Sequence, residues 1–158
     1  MQNKFKAASL RTPNRSSPSF KNSDVYVQVS HFLRDRGIRG YGLYASRDYA
    51  IGDVIQEYTG KLVSLEECKK KRTHRNYFFE VRGKRKNVTH VIDGANTSYS
   101  GPARYVNSIR YEEEQALQNT KFVQHDKKIY LMAIRPIRRN EEMISYYGKH
   151  TEDIIQMS

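Results

Sequence analysis

The chain has 158 residues, enough for one domain with a buried core, and its 37% hydrophobic content with twelve Tyr and six Phe excludes a chain disordered throughout. Its formal charge of +11 draws it toward nucleic acid or another polyanion. The one cysteine, Cys68, excludes a disulfide within the chain and a Cys-rich zinc site; the five His lack metal-ligand spacing, and no apolar run reaches the ~18 residues of a membrane span. The expectation is a soluble intracellular protein with no metal and no membrane contact.

Residues 1–24 are rich in Ser, Asn, Pro, Lys and Arg, a composition that cannot repay the entropy of ordering, so they read as a flexible basic arm. Val25, Val27 and Val29 then alternate with Tyr26 and Gln28, the period-two pattern of a half-buried strand. Leu43–Ala45 and Val54–Tyr58 read as strands with a turn at Gly52-Asp53 between them. Ser64 with Glu67 three residues on is a capping-box pattern, which predicts a short helix to about Arg72. Tyr77–Val81 and Val88–Ile92 form a predicted hairpin with the basic tip Arg82–Asn87. Lys121–Gln124 and Lys128–Ile134 form a second around His125-Asp126, and Met143–Tyr147 is a late strand. Many short strands with few short helices predict a mainly β domain over residues 25–150, followed by a short tail, 151–158.

Charge is uneven along this order. Residues 1–24 hold five Lys or Arg against one acid, and residues 63–100 hold nine against four. The stretches Lys69–Arg75 and Arg82–Lys86 are therefore candidates to grip DNA, although charge runs commonly do no more than face water. Common enzyme plans are missing: there is no phosphate loop and no nucleophile elbow. Gly37, Gly40 and Gly42 do not match a dinucleotide fingerprint, and no long helix follows them to meet a phosphate.

Four stretches carry the chemistry. They are Arg39-Gly40-Tyr41-Gly42-Leu43-Tyr44-Ala45, Glu57-Tyr58-Thr59-Gly60, Arg104-Tyr105-Val106-Asn107-Ser108 and Glu141-Glu142-Met143-Ile144-Ser145-Tyr146-Tyr147-Gly148. Each alone is weak, since strand tyrosines usually pack and glycines usually turn. Their order and spacing, with Ile92-Asp93 ahead of the third, resemble the SET-domain protein lysine methyltransferases. The third, continuing through Glu112-Glu113-Glu114-Gln115, is most similar to the PR branch.

The resemblance implies a SET fold of short β-sheets with few helices and a pseudoknot-like threading of the C-terminal strand. It implies methyl transfer from S-adenosylmethionine to a lysine amine, with histone tails as the usual substrate and the nucleus as the usual location. By resemblance Tyr147 is the catalytic tyrosine and Tyr58 lines the lysine channel. Arg39, Gly40, Tyr41, Tyr77, Arg104, Tyr105, Asn107 and Ser108 fall on cofactor-contact positions. Ser145, two residues before Tyr147, falls where channel width sets the methylation degree, and a small residue there favours di- or trimethylation. Glu112, Glu113 and Glu114, close after the third motif, are candidates to hold a cationic peptide, the alternative being an exposed acidic loop.

The chain departs from the family's pattern in three places. Ser108 stands where many members have His, Tyr146 where an aspartate is usual, and no cysteine-rich segment follows Gly148 to cover the site. Two further readings follow: a catalytically silent PR/SET-like module that binds a protein tail or chromatin, and a small basic nucleic-acid-binding β domain. The second would need its aromatics exposed on one face for stacking, and most lie in core-like stretches.

Overall fold

A computed structural model of the chain describes residues 24–70, 78–94 and 101–146. Its ten strands are β1 Val25–Val29, β2 Tyr41–Ala45, β3 Val54–Glu57, β4 Lys61–Ser64, β5 Phe78–Arg82, β6 Val88–Asp93, β7 Asn107–Ser108, β8 Thr120–His125, β9 Lys128–Ala133 and β10 Glu142–Ser145. Two short helices, α1 His31–Arg34 and α2 Leu65–Lys70, and two 3-10 turns, Pro102–Tyr105 and Glu112–Leu117, complete the described elements. The mainly β domain expected from the sequence is what the chain forms.

The strands make three small sheets, ordered β1-β2-β10-β7, β3-β9-β8 and β4-β6-β5. β1 buries Val25 and Val27 and leaves Tyr26 and Gln28 half exposed, as its alternation predicts. β2 is different: all five of its residues are buried, because β1 flanks it on one edge and β10 on the other. The last strand, β10, thus enters between β2 and the short parallel strand β7, pairing Ile144 with Asn107 and Ser145 with Ser108. That insertion joins the end of the chain to two earlier motifs.

The main core holds Val25, Val27, Leu43 and Met143 from the first sheet with Ile55, Leu131 and Ala133 from the second. Leu43, Leu131 and Met143 are fully buried, each contributing ~1.5–3 kcal/mol by removal of apolar area from water. A second cluster packs Tyr58, Val81, Ile92, Ala103 and Ile129 with Phe79 and Phe122. A third, smaller one puts Cys68 of α2 against Val63 and Val91. The lone thiol is a core residue.

Local signals explain the connections. Gly52, the predicted turn glycine, has φ +88°, a conformation that a Cβ would disfavour. The Ser64 hydroxyl accepts from Glu67 N–H at 3.2 Å and opens α2. The Ser30 hydroxyl caps α1, accepting from Leu33 N–H at 3.0 Å. Sequence patterning missed α1, β4, β7 and both 3-10 turns, which are too short to show a period.

Gly60 has a harder constraint. A Cβ there would sit 2.3 Å from the Asp93 carbonyl oxygen and 2.9 Å from Gly94 N, both backbone atoms held by the β4–β6 ladder. Gly60→Ala is therefore expected to destabilise the domain by about 2–3 kcal/mol, the upper part of the usual ~1–3 kcal/mol for overpacking, because the clashing atoms are backbone. Urea denaturation measures this, and a loss below about 1 kcal/mol would show that the crossing has slack.

Candidate active site

The four sequence motifs meet through specific hydrogen bonds. Asn107 is 1% exposed, and its amide nitrogen donates to the Tyr41 carbonyl oxygen at 2.9 Å, tying β7 to the glycine turn of β2. Ile109 N–H donates to the Ser145 carbonyl oxygen at 2.9 Å and extends the β7–β10 pairing. Gly101 N–H donates to the Thr59 hydroxyl at 2.6 Å, fastening the Glu57–Gly60 segment to the turn that carries Arg104 and Tyr105. Stretches distant in sequence converge because β10 closes the first sheet.

Around this junction Tyr41 and Tyr105 meet edge to face with ring centres 6.4 Å apart, and the Arg104 guanidinium lies 5.4 Å from the Tyr105 ring centre. Arg104 is only 7% exposed, unusual for a charge expected at a surface. Arg39 is exposed and Gly40 buried, with the Gly40 carbonyl oxygen accepting from Ser30 N–H at 2.8 Å. Ser145 is fully buried, and its hydroxyl has no hydrogen-bond partner among the described residues. A buried hydroxyl left in that state is uncommon.

Glu142 anchors the assembly, a role that no feature of the linear motif signals. One carboxylate oxygen accepts from the Ser30 hydroxyl at 2.6 Å and lies 3.4 Å from the Asn107 amide nitrogen. The other accepts from Phe32 N–H at 3.0 Å, with the Tyr44 hydroxyl 3.2 Å away. The Tyr44 proton is shared with the Val29 carbonyl oxygen at 2.8 Å. Burial first and the Glu142 charge second push the Tyr44 phenol up to about 12, so it stays a donor at neutral pH. A Cβ at Gly42 would fall 2.3 Å from the Glu142 carboxylate, so at this motif glycine the close approach is made by the protein itself.

Tyr58 belongs to the second core, 2% exposed, with its ring centre 4.5 Å from Phe79 and 5.8 Å from Phe122. A Cβ at Gly94 would touch its hydroxyl at 2.6 Å, so Gly94 leaves the room in which that hydroxyl sits. Phe79 and Phe122, with Ile129, Glu80, Lys121 and Tyr146, line a cleft of about 230 Å³ between the edges of β5 and β8. A second cleft of about 260 Å³ is lined by Ser108 with Phe32, Ile38, Arg36, Arg110 and Tyr111.

The acidic run has a divided fate. Glu114 pairs with Arg36 at 2.6 Å and accepts from Arg110 N–H at 2.9 Å; these contacts, the backbone one first, hold its carboxyl below the ordinary range. Glu112 and Glu113 are exposed on the same 3-10 turn. Tyr147 and Tyr77 lie outside the described residues, as does most of Lys69–Arg75. Among the described residues no group of three or more His, Cys, Asp or Glu is arranged to hold a metal, and no helix is long and apolar enough to cross a membrane.

Known proteins match this architecture. The model of the PR domain of PR domain zinc finger protein 2 matches residues 57–158, more than half of the chain. The histone-lysine N-methyltransferase set-17 of Caenorhabditis elegans is 32% identical over 109 residues, covering 69% of this chain and 36% of its own length. The histone-lysine N-methyltransferase EZH2 of Chaetomium thermophilum is 27% identical over 114 residues, covering 69% of this chain and 7% of its own length. The chain thus spans about a third or less of these curated relatives. The solved ATXR5 SET domain, in complex with histone H3 di-methylated on R26, shares the fold with a TM-score of 0.63 at 15% identity, over 91% of this chain and 75% of that one. The family match, the inserted β10 and the convergence of the four motifs place the chain in the PR domain family, the PR branch of the SET-domain proteins.

Proposed function

We propose that the chain is an S-adenosylmethionine-dependent protein lysine N-methyltransferase acting on a histone lysine, and hence working at chromatin in the nucleus. The observation that carries this reading is the junction of Tyr41, Asn107, Ser108 and Ser145 on three neighbouring strands, held by the Asn107 amide and the β7–β10 pairing. The names of set-17 and EZH2 support it at the level of the family.

The residues present fit the cofactor. With the Asn107 amide nitrogen committed to Tyr41, its carbonyl oxygen is the acceptor the side chain offers the cofactor's ammonium. The resemblance assigns Arg39, Gly40, Tyr41, Tyr77, Arg104 and Tyr105 to the same cofactor site. The Ser108 cleft, at about 260 Å³, is just under the ~300–1,000 Å³ of a whole ligand pocket, so it takes one end of the cofactor, against Ile38 and Tyr111. S-adenosylmethionine, when bound, supplies an electrophilic methyl on a sulfonium.

The chain's own tyrosines have the remaining work. A lysine amine must be unprotonated to attack, which costs roughly 4.6 kcal/mol at pH 7 from a pKa of ~10.4. In the roles the resemblance assigns them, Tyr58 and Tyr147 would desolvate the amine and orient its lone pair while adding no charge. The aromatic cleft of Phe79 and Phe122, backed by Tyr58, suits the peptide around that lysine. Glu112 and Glu113 remain exposed for the basic residues of a tail, and Glu114 holds their turn in place.

Ser145 sets the product on this reading. Its small, buried side chain leaves space beside the amine for added methyls, so di- and trimethyllysine are the expected products. Ser145→Phe is expected to cut the di- and trimethyl fraction about tenfold in favour of monomethyl, given ~1.4 kcal/mol of steric cost per further methyl. Mass spectrometry of the methylated peptide reads this directly, and an unchanged product distribution would separate Ser145 from the channel.

The experiment that tests the function is radiolabelled methyl transfer from S-adenosylmethionine to core histones, nucleosomes and a mixed protein extract, with cofactor binding measured by calorimetry. Label on histone supports the reading. Cofactor binding with no label on any substrate would replace it with a silent module that binds a tail or chromatin.

A further inference from the structure

The tips of two hairpins stand together at one end of the molecule. Gly83–Asn87 closes β5–β6, with Gly83 N–H donating to the Asn87 carbonyl oxygen and Lys86 N–H to that of Gly83, both at 2.9 Å. Asp126 and Lys127 make the two-residue turn of β8–β9, where His125 pairs with Lys128. Gln124 clasps one hairpin to the other. Its side-chain oxygen accepts from Arg82 N–H at 2.8 Å, and its amide nitrogen donates to the Arg82 carbonyl oxygen at 2.7 Å. The side chain thereby takes the place of a neighbouring strand on the open edge of β5.

This clasp creates a cleft of about 580 Å³ between the tips, bordered by Lys84, Lys127, Lys128, Thr89 and Tyr130. Its charge is predominantly positive, with Asp126 the one acid among the lining residues. Glu80 is buried and engaged by the Arg82 guanidinium, and Asp126 lies 3.7 Å from the His125 ring nitrogen. Lys84, Arg85, Lys86, Lys127 and Lys128 are all exposed and form no ion pair among the described residues. Only Lys84–Lys86 belong to a basic run evident in the sequence; the fold adds Lys127 and Lys128, some forty positions later.

The chemistry of the cleft selects its partner. A protein interface requires an apolar centre, and a single strand of nucleic acid requires exposed rings for stacking. Of the rings that line it, Tyr130 is half-buried and the small exposed ring of His125 sits beside the Asp126 carboxylate, which leaves no broad aromatic platform. Four exposed lysine ammoniums and one arginine guanidinium on long stems instead match a repeating array of phosphates, which need no apolar anchor. We propose that the two hairpin tips form a sequence-independent binding surface for the phosphate backbone of duplex nucleic acid, outside the methyl-transfer site.

Fluorescence anisotropy of the full chain with a labelled DNA duplex of about 20 base pairs, over a salt series and without cofactor, tests this independently of any catalysis. Counterion release gives a slope near −0.9 per phosphate neutralised, so Lys84→Glu, Lys127→Glu and Lys128→Glu together are expected to flatten the slope of log K against log salt by about 3. Binding should weaken at least about tenfold at 0.1 M salt by the same relation. An equal charge change at Arg34, Arg138 and Arg139, on other elements, should leave the affinity within about threefold. If the reversed variant melts early, the Gln versions of the same three positions replace it. Equal weakening in both variants would reduce the effect to net charge and overturn the proposal, as would an unchanged slope. Displacement of the duplex by an equimolar oligoglutamate peptide would also overturn it, in favour of an acidic protein partner.

Discussion

Tyr147→Phe is expected to lower the rate of methyl transfer by about 10²–10³-fold, the usual cost of losing one positioned polar group at a transition state. The substitution removes an oxygen and keeps the ring, so the fold and cofactor affinity should stay close to wild type. The reason to place this oxygen at the reaction is the resemblance of Glu141–Gly148 to the family's motif, in which Tyr147 takes the catalytic position. Ser145, two residues earlier, is fully buried beside Ser108, and the strand is locked between β2 and β7. Single-turnover transfer of labelled methyl, with calorimetric titration of S-adenosylmethionine, measures both halves of the expectation. Transfer at the wild-type rate would remove Tyr147 from the mechanism, while lost cofactor binding would make its role one of binding.

Glu142→Ala is expected to destabilise the domain by about 3 kcal/mol or more, because hydrogen bonds to a charged acceptor are worth ~1.5–3 kcal/mol each and stranded donors add to the cost. Ser30, Phe32, Tyr44 and Asn107 all face this carboxylate. The loss is smaller than the sum of these bonds, since the Ser30 hydroxyl oxygen, 3.3 Å from the Asn107 amide nitrogen, partly replaces the missing acceptor for that donor. A drop of roughly 10 °C in Tm follows for a domain of this size. Glu142→Gln keeps one acceptor and turns the other into a donor facing Ser30, so an intermediate loss is expected. Thermal melts of both variants decide the matter, and a Glu142→Ala protein melting within about 2 °C of wild type would show that the network is ornamental to stability.

The strands long enough to show a period were legible in the amino-acid order. β1 alternated, β5–β6 and β8–β9 were bracketed by turn residues, and Gly52 marked its turn by a conformation few other residues adopt. β2 was read short, as Leu43–Ala45. Its polar-looking start, Tyr41-Gly42, is buried through contacts from far along the chain, Tyr105 and Asn107 against Tyr41 and the Glu142 side chain against Gly42.

The candidate site divides along the same line. Motif order determined the family and the residue types available to the chemistry, because those depend on local sequence. Only the tertiary structure decided which groups serve as scaffold: Gly42 makes room for Glu142, Asn107 spends its amide on Tyr41, and Glu114 is taken by Arg36. It also brought Lys127 and Lys128 beside Lys84 through the Gln124 clasp. Hydrogen bonds and charge act through space at distances of a few ångströms, and separations of forty to a hundred residues carry no local signal of such a meeting. The sequence by itself determined the chemical inventory and the short β elements; the insertion of β10 and the crossings it imposes decided which of those groups meet.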